Sequence, residues 1–446
     1  MDFLVPLSSL PALMYYVPLL AGSLCVVFNY LVYSRRVSEW RKSKIPFLEP
    51  SFLIGHKYFW SVGSNSAVVP IDRIYRENKD KDLVAFFIAT MPVVLVRNPA
   101  LIKQIFAKNF HEAFTTGFAA SKNDKILQHV LTQSTDKSVW KTDRSALSPM
   151  FATSRLRGEP FAKIRNQIVR MWAHIERARL QGEPIDTNQI AENFIQDGTA
   201  SSFFGLEVNS YEEEGEFRKL NESIIRPGWG RLLSAFSLMQ FQGVPALNPL
   251  KFITQNHIES LRSLIRKQMV QRSQAAGENE NDFIDFLIRL KEQDQDRKSD
   301  SETVRLFPGT TAIMRICTED FTVPGTEYTF KKGERIIIDP YSVHRDPEHF
   351  ENPDKFDPDR FSPKNRDRKV IDAFIGFGKG PRKCPGFNVG FLMASTLIGS
   401  LVHKYEVKPR SHKKQMNAYD FHPQSFAIVH KDHILVDVIP REVVAY

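Results

Sequence analysis

Cys384 lies in the run Phe377-Gly378-Lys379-Gly380-Pro381-Arg382-Lys383-Cys384-Pro385-Gly386, preceded by Ile375-Gly376 and followed by an apolar helical stretch from Phe387 to Tyr405. Glycines let a backbone come close to a flat ligand and turn its amides toward a sulfur. A cysteine just ahead of a helix N-terminus, with Arg382 and Lys383 beside it, is expected as thiolate. Thiolate is the strong axial donor that a haem iron takes. Other chemistries fit less well. A phosphate loop needs Gly-x-x-x-x-Gly-Lys-Ser/Thr, and no Ser or Thr follows Lys379 or Lys383. A dinucleotide turn needs a surrounding βαβ unit with a later acidic partner, which the flanks do not supply. A thiol redox sensor at Cys384 lacks a resolving cysteine nearby. The other two cysteines, Cys25 and Cys317, make no metal-type pair spacing and no disulfide framework.

A second constellation is ionic. Glu302 and Arg305 are i,i+3, so on a helix they share a face and pair, and Arg360 from a distant loop can lock onto the same carboxylate.

The elements that position these residues follow from periodicity. Asp82 to Val96 reads as two short strands around Thr90-Met91-Pro92. Apolar residues at three- and four-residue spacing predict helices over Ala100–Phe106, Leu156–Gln181, Thr187–Phe204 and Ile253–Arg272. Gly277–Asp282 and Lys291–Ser301 are polar and read as solvated loops. Thr322–Asp339 and Ser425–Ile439 return to strand-like alternation. The fold class is therefore mainly α with small β-sheets, an α+β protein.

With 446 residues, 42% hydrophobic and 25% charged, the chain can bury a large core, and no Gly/Ser- or Pro-rich linker divides it after its first fifty residues. Phe3 to Ser34 carries no charge, and Leu10 to Tyr33 is long enough to cross about 30 Å of hydrocarbon. Arg35, Arg36, Arg41, Lys42 and Lys44 follow it, so the positive-inside bias places the bulk of the chain in the cytosol. Tyr15, Tyr16, Tyr30 and Tyr33 suit the two interfaces. The expected organisation is an anchor over 1–34, a basic and Pro-containing linker over 35–50, and one domain over 51–446. The net charge of +9 favours an anionic partner surface without choosing which.

Phe377, Gly378, Gly380, Arg382, Cys384 and Gly386 match Phe-Gly-x-Gly-x-Arg-x-Cys-x-Gly, and the loop resembles the haem-binding loop of the cytochrome P-450 monooxygenases. Three further matches occur in the family's order. Trp140-Lys-Thr-Asp-Arg144 resembles its Trp-x-x-x-Arg helix, Glu302-Thr-Val-Arg305 its Glu-x-x-Arg helix, and Pro358-Asp-Arg360-Phe361 its Pro-Glu-Arg-Phe element. The stretch through Arg315-Ile-Cys317, with His344-Arg-Asp-Pro, looks most like insect microsomal xenobiotic-metabolising members. The resemblance implies haem b with Cys384 as axial ligand, and Trp140, Arg144, Arg315 and Arg382 around its propionates. It also implies electrons from NADPH through a cytochrome reductase, cytochrome b5 as an additional partner, an endoplasmic-reticulum membrane location, and an apolar small-molecule substrate. Nucleic acid is not among the partners. Lys137, Lys141, Lys379 and Lys383 form a positive cluster suited to an acidic reductase face. Phe110, Phe114, Phe118 and Phe426 are candidates to line an apolar pocket.

One family element is missing. Relatives carry a long distal helix with an Ala/Gly-Gly-x-Asp/Glu-Thr segment, whereas here polar residues run into Glu302 directly, and a helix crossing a domain of about 30 Å needs about 20 residues. Asp197-Gly198-Thr199 matches an earlier helix by position. An internal segment is therefore expected to be absent near 300–302. That leaves no distal acid/alcohol pair, and a second reading as an inactive or truncated, membrane-tethered haem-binding protein.

Overall fold

Two β-branched and aromatic runs, Leu83–Ile88 (β1) and Met91–Val96 (β2), pair antiparallel with Leu83 opposite Val96 and Ile88 opposite Met91. Both are buried almost without interruption, the pattern of strands covered on two faces rather than one. The computed structural model describes residues 23, 27 and 30–441, apart from 52–54, 62–63, 89, 118–129, 152–158, 214, 226–229, 231–255, 261, 264–265, 267–295, 363, 366, 411–416, 424 and 426.

β1 and β2 open a five-stranded sheet of order β1-β2-β8-β5-β3, completed by Phe114–Thr116 (β3), Ile313–Cys317 (β5) and Arg335–Ile338 (β8). β2 and β8 are parallel, and the other pairs antiparallel. Ile185–Asp186 (β4), Tyr405–Pro409 (β9) and Leu435–Pro440 (β10) form a second sheet, and Phe321–Thr322 (β6) with Thr329–Phe330 (β7) a hairpin.

After residue 67, the α-helices whose full range the structure describes are, in chain order, Val68–Glu77 (α1), Pro99–Lys103 (α2), Phe110–Ala113 (α3), Lys137–Leu147 (α4), Glu159–Leu180 (α5), Thr187–Thr199 (α6), Glu216–Ile225 (α7), Asp296–Leu306 (α8), Pro340–Val343 (α9), Arg368–Ala373 (α10) and Phe387–Lys404 (α11). Ile164, Ile168, Met171 and Ile175 of α5 meet Ile190 and Phe194 of α6 and Val389, Met393 and Leu397 of α11 in one apolar cluster. Their three- and four-residue spacing is the helical period that makes such a seam. α2 and α6 each run on into a π-helical turn, Gln104–Lys108 and Ala200–Phe204.

Two expectations change. Lys291–Ser301 was expected as a solvated loop, but α8 starts at Asp296. Its polar first turns show no apolar stripe, and the helix is fixed instead by its other end, where Glu302, Arg305 and Leu306 are buried. Tyr33 was expected at a membrane interface. It is 8% exposed in the core cluster of the large sheet, its ring 6.0 Å from Phe87 and edge-on. Residues 30–41 are helical, and the stretch after them joins the sheet, with Pro46 and Leu48 hydrogen-bonded to Ala85. Most of the expected anchor lies outside the described residues, as does the polar stretch 277–282. Among the described residues no helix is long and apolar enough to cross a membrane.

Candidate functional site

Gly378 and Gly380 adopt φ of 74° and 71°, the left-handed region that disfavours any side chain. They fold the Cys384 loop back on itself. The Gly378 N–H donates to the Ile375 carbonyl at 2.8 Å, and the Cys384 N–H to the Phe377 carbonyl at 2.9 Å. A Cβ on Gly380 would stand 2.0 Å from the Phe106 carbonyl oxygen, so the loop lies directly against the π-helical turn after α2. A Cβ on Gly376 would likewise stand 2.5 Å from a Val304 methyl of α8. Gly386 caps the N-terminus of α11 two residues beyond Cys384, whose thiol is free and exposed. Phe377 is wedged between Phe387 and Phe391, with ring centres 5.4 and 5.2 Å away.

Trp140 sits on α4, a helix started by the Asp136 carboxylate accepting from Ser138 and Val139 N–H groups. The Arg382 guanidinium lies 4.4 Å from the Trp140 ring and donates to the Leu131 and Ser134 carbonyls. Arg315, from β5, is 5% exposed and lies 4.8 Å from the Phe106 ring. Arg144 follows Trp140 by one turn on the same helix face.

Arg315 and Arg382 share an anomaly. Neither pairs with a carboxylate among the described residues, and the Nε of each is buried without a hydrogen-bond partner. Burial, then the charge of Arg382, pushes Arg315 down to about 9; burial brings Arg382 to about 10. Cations held partly or wholly out of water without a carboxylate partner favour an anion that joins them. A group that carries paired carboxylates and a thiol-seeking metal would meet that need, with Arg315 and Arg382 as the cations and Cys384 as the sulfur donor.

The ionic constellation is assembled. Glu302 and Arg305 are both fully buried and form a two-pronged pair at 2.8 and 2.7 Å. Arg360 reaches the same carboxylate at 3.4 Å, and the Asp357 N–H donates to it at 3.0 Å. Arg305 also donates to the His344 carbonyl at 2.7 Å. His344, which sequence singled out only as part of a motif, is fully buried between this triad and the Cys384 loop. A histidine holding two segments 31 and 39 residues away leaves no signal in local spacing.

The lysine cluster does not survive intact. Lys379 turns inward to Asp372, donating to its carbonyl and lying 3.8 Å from its carboxylate. Lys137 is engaged with the His111 and Glu112 carbonyls, while Lys141 and Lys383 stay exposed. Phe110 and Phe114 are buried core rings, 1% and 0% exposed, instead of pocket lining. Phe118 and Phe426 lie outside the described residues.

A thiol just ahead of a helix N-terminus, in a turn that also carries the half-buried Arg382 and with the buried Arg315 on the neighbouring strand β5, has the make-up of a haem-thiolate cradle. The chain belongs to the cytochrome P450 family, whose model matches residues 56–301 and 297–435. It is 23% identical to "Cytochrome P450 9b2" of Drosophila melanogaster, covering 90% of this chain and 96% of the relative. It is 22% identical to "Cytochrome P450 6B7" of Helicoverpa armigera (95% and 98%) and 21% to "Cytochrome P450 6k1" of Blattella germanica (86% and 90%). The family is one of haem-iron monooxygenases with cysteine thiolate ligation that use a redox partner and lipophilic substrates. The first alignment spans 497 positions but only 90% of these 446 residues, about 400, so about 95 of its positions face no residue of this chain.

Proposed function

We propose that this chain is built to bind haem b and to serve lipophilic oxidation, with Cys384 as the iron ligand and Trp140, Arg144, Arg315 and Arg382 around the propionates. The buried Arg315 and half-buried Arg382, each with a buried Nε that lacks a partner and neither paired with a carboxylate among the described residues, carry this reading. When bound, haem supplies activation of O2 for insertion of one oxygen atom into an apolar molecule. The chain's residues would hold its edge with cations, fold the Cys384 turn back on itself through Gly378 and Gly380, and pack that turn through the Phe377 cluster. Electrons come from an NADPH-fed reductase, with cytochrome b5 as a further donor and Lys141 and Lys383 as exposed docking charges. The uncharged stretch before Ser34 anchors the chain in the endoplasmic-reticulum membrane, with the haem domain in the cytosol. A reduced, carbon-monoxide-treated preparation should show the thiolate-haem Soret band, and Cys384→Ala should abolish it. Protein that stays colourless with added hemin defeats the reading.

A second reading is favoured by one observation: the family model matches in two pieces, 56–301 and 297–435, whose junction falls where the sequence is read as lacking the distal helix. On that reading the chain binds haem but lacks the wall that excludes water, and it is inert. Purified protein with reductase, NADPH and O2 separates the two, since oxidised product from a lipophilic substrate refutes inertness. Transcript sequence across Asp300–Glu302 shows whether a fuller form carries the helix.

A further inference from the structure

His344 is fully buried, and both ring nitrogens are engaged. The Ile375 N–H donates to Nε2 at 2.9 Å, so Nε2 carries no proton. The proton is therefore on Nδ1, which donates to the Arg305 carbonyl at 2.9 Å. The ring is stacked on Phe374 at 10° and 5.3 Å and meets Phe350 edge-on, so it cannot rotate out of this bridge without unpacking two aromatic neighbours. The charged groups that face it, Arg305, Arg345 and Lys379, are all cations and, with burial, keep it neutral.

On one side of the ring is the anchored end of α8, where Arg305 pairs with Glu302 and also grips the His344 carbonyl. On the other is the start of the thiolate turn. The Ile375 carbonyl takes the Gly378 N–H, and the Phe377 carbonyl takes the Cys384 N–H. A rigid tie at Ile375 therefore fixes the base on which the two left-handed glycines place Cys384.

We propose that His344 is a positioning residue for the thiolate loop: through Nε2 it holds the Ile375 amide and ties the turn carrying Cys384 to the Glu302–Arg305 pair. This deepens the haem-thiolate reading and rests on it for its spectroscopic arm. The two nitrogens can be separated chemically. A glutamine carbonyl reaches the place of Nε2, whereas an asparagine amide reaches only that of Nδ1.

Wild type, His344→Gln and His344→Asn are compared in two measurements. In haem-free protein, hydrogen exchange of amides 375–384 should be about tenfold faster in His344→Asn, near wild type in His344→Gln, and unchanged in β1 and β2 in both. In haem-loaded protein, the carbon-monoxide complex of His344→Asn should lose most of its thiolate band to the neutral-thiol form, while His344→Gln keeps it. Equal effects of the two variants, or a lowered melting temperature with loop exchange and spectrum unchanged, overturn the proposal. If neither variant folds, the wild-type chain decides: the Ile375 and Cys384 amides should open together, and an Ile375 amide exchanging independently of Cys384 overturns it. Wild type that takes up no haem defeats the functional reading, while the exchange comparison still judges His344.

Discussion

The Arg382 guanidinium lies 4.4 Å from the Trp140 ring and 5.6 Å from the Phe110 ring, which the Arg315 guanidinium also faces at 5.5 Å. The aromatic faces offset part of the cost of burying these charges, but they carry no negative charge to neutralise them. A substitution that removes one cation should therefore act in opposite directions on the two states. Arg315→Met should raise the melting temperature of the haem-free chain, because a desolvated, repelled charge is gone. The same change should weaken haem binding by about tenfold or more, roughly 1.4 kcal/mol. Calorimetry of the haem-free chain and hemin titration read the two effects. A variant that binds hemin as tightly as wild type separates Arg315 from the cofactor.

Gly380 gives a steric prediction. Alanine there meets both a positive φ and a Phe106 carbonyl oxygen 2.0 Å from the new methyl. The left-handed penalty alone is about 1–2 kcal/mol, and the clash must move either the loop or the π-helical turn. Gly380→Ala should thus lose haem in gel filtration while retaining the folded sheet by circular dichroism. Gly325, also at positive φ but with no atom within 4 Å, is the control: Gly325→Ala should cost only backbone strain and leave haem retention unchanged. Equal haem loss in both variants would mean that contact with Phe106 is not the cause.

The legible part of this protein was the part whose chemistry is written in adjacent residues. Cys384 with its glycines, and Glu302 with Arg305, were readable because one turn or one helical step brings them together. Their partners were less so. His344 and Asp372 acquire their roles only when α9 and α10 pack beside α8 and the loop, and nothing in their neighbours' composition announces it. Tyr33 was misplaced because an apolar run does not say where hydrocarbon ends and a sheet begins; it is the Tyr33 contact with Phe87 that decides. The start of α8 was misread because charge indicates solvent, not loop.

The ionic triad should respond unequally to truncation. Removing one member of a buried pair leaves the other charge desolvated, a loss of about 3–5 kcal/mol. Glu302 and Arg305 are wholly buried, so Arg305→Ala should fall in that range, with Glu302→Gln below it because the amide keeps some hydrogen bonds. Arg360 is more distant, at 3.4 Å, and divides its donors between Glu302 and the Glu351 carbonyl. Arg360→Ala should cost less than half as much as Arg305→Ala in denaturant midpoint. An equal or greater loss at Arg360 would place the weight of the triad at its outer arm.

Acid–base behaviour tests the other buried cluster. Asp339 is enclosed with Ser342 and Asp72, and burial pushes its carboxyl up to about 7, above an ordinary value of 3.8, with the Asp72 charge adding to the rise. Between these values the unfolded chain has released the proton that the folded chain keeps. Stability from this group is full below about pH 4 and lost as pH rises through about 7, by an amount on the order of 4 kcal/mol. His344 acts in the opposite sense: burial holds it near 3, so its share is full above its ordinary 6.5 and is lost as pH falls toward 3. Asp339→Asn retains the cap on the Tyr341 N–H but cannot ionise, so it isolates the first effect. The variant should gain on wild type in denaturant midpoint between pH 5 and pH 8, while the acid limb governed by His344 stays where it was. A difference between variant and wild type that is the same at every pH would show that Asp339 ionises in the folded chain as readily as in the unfolded one.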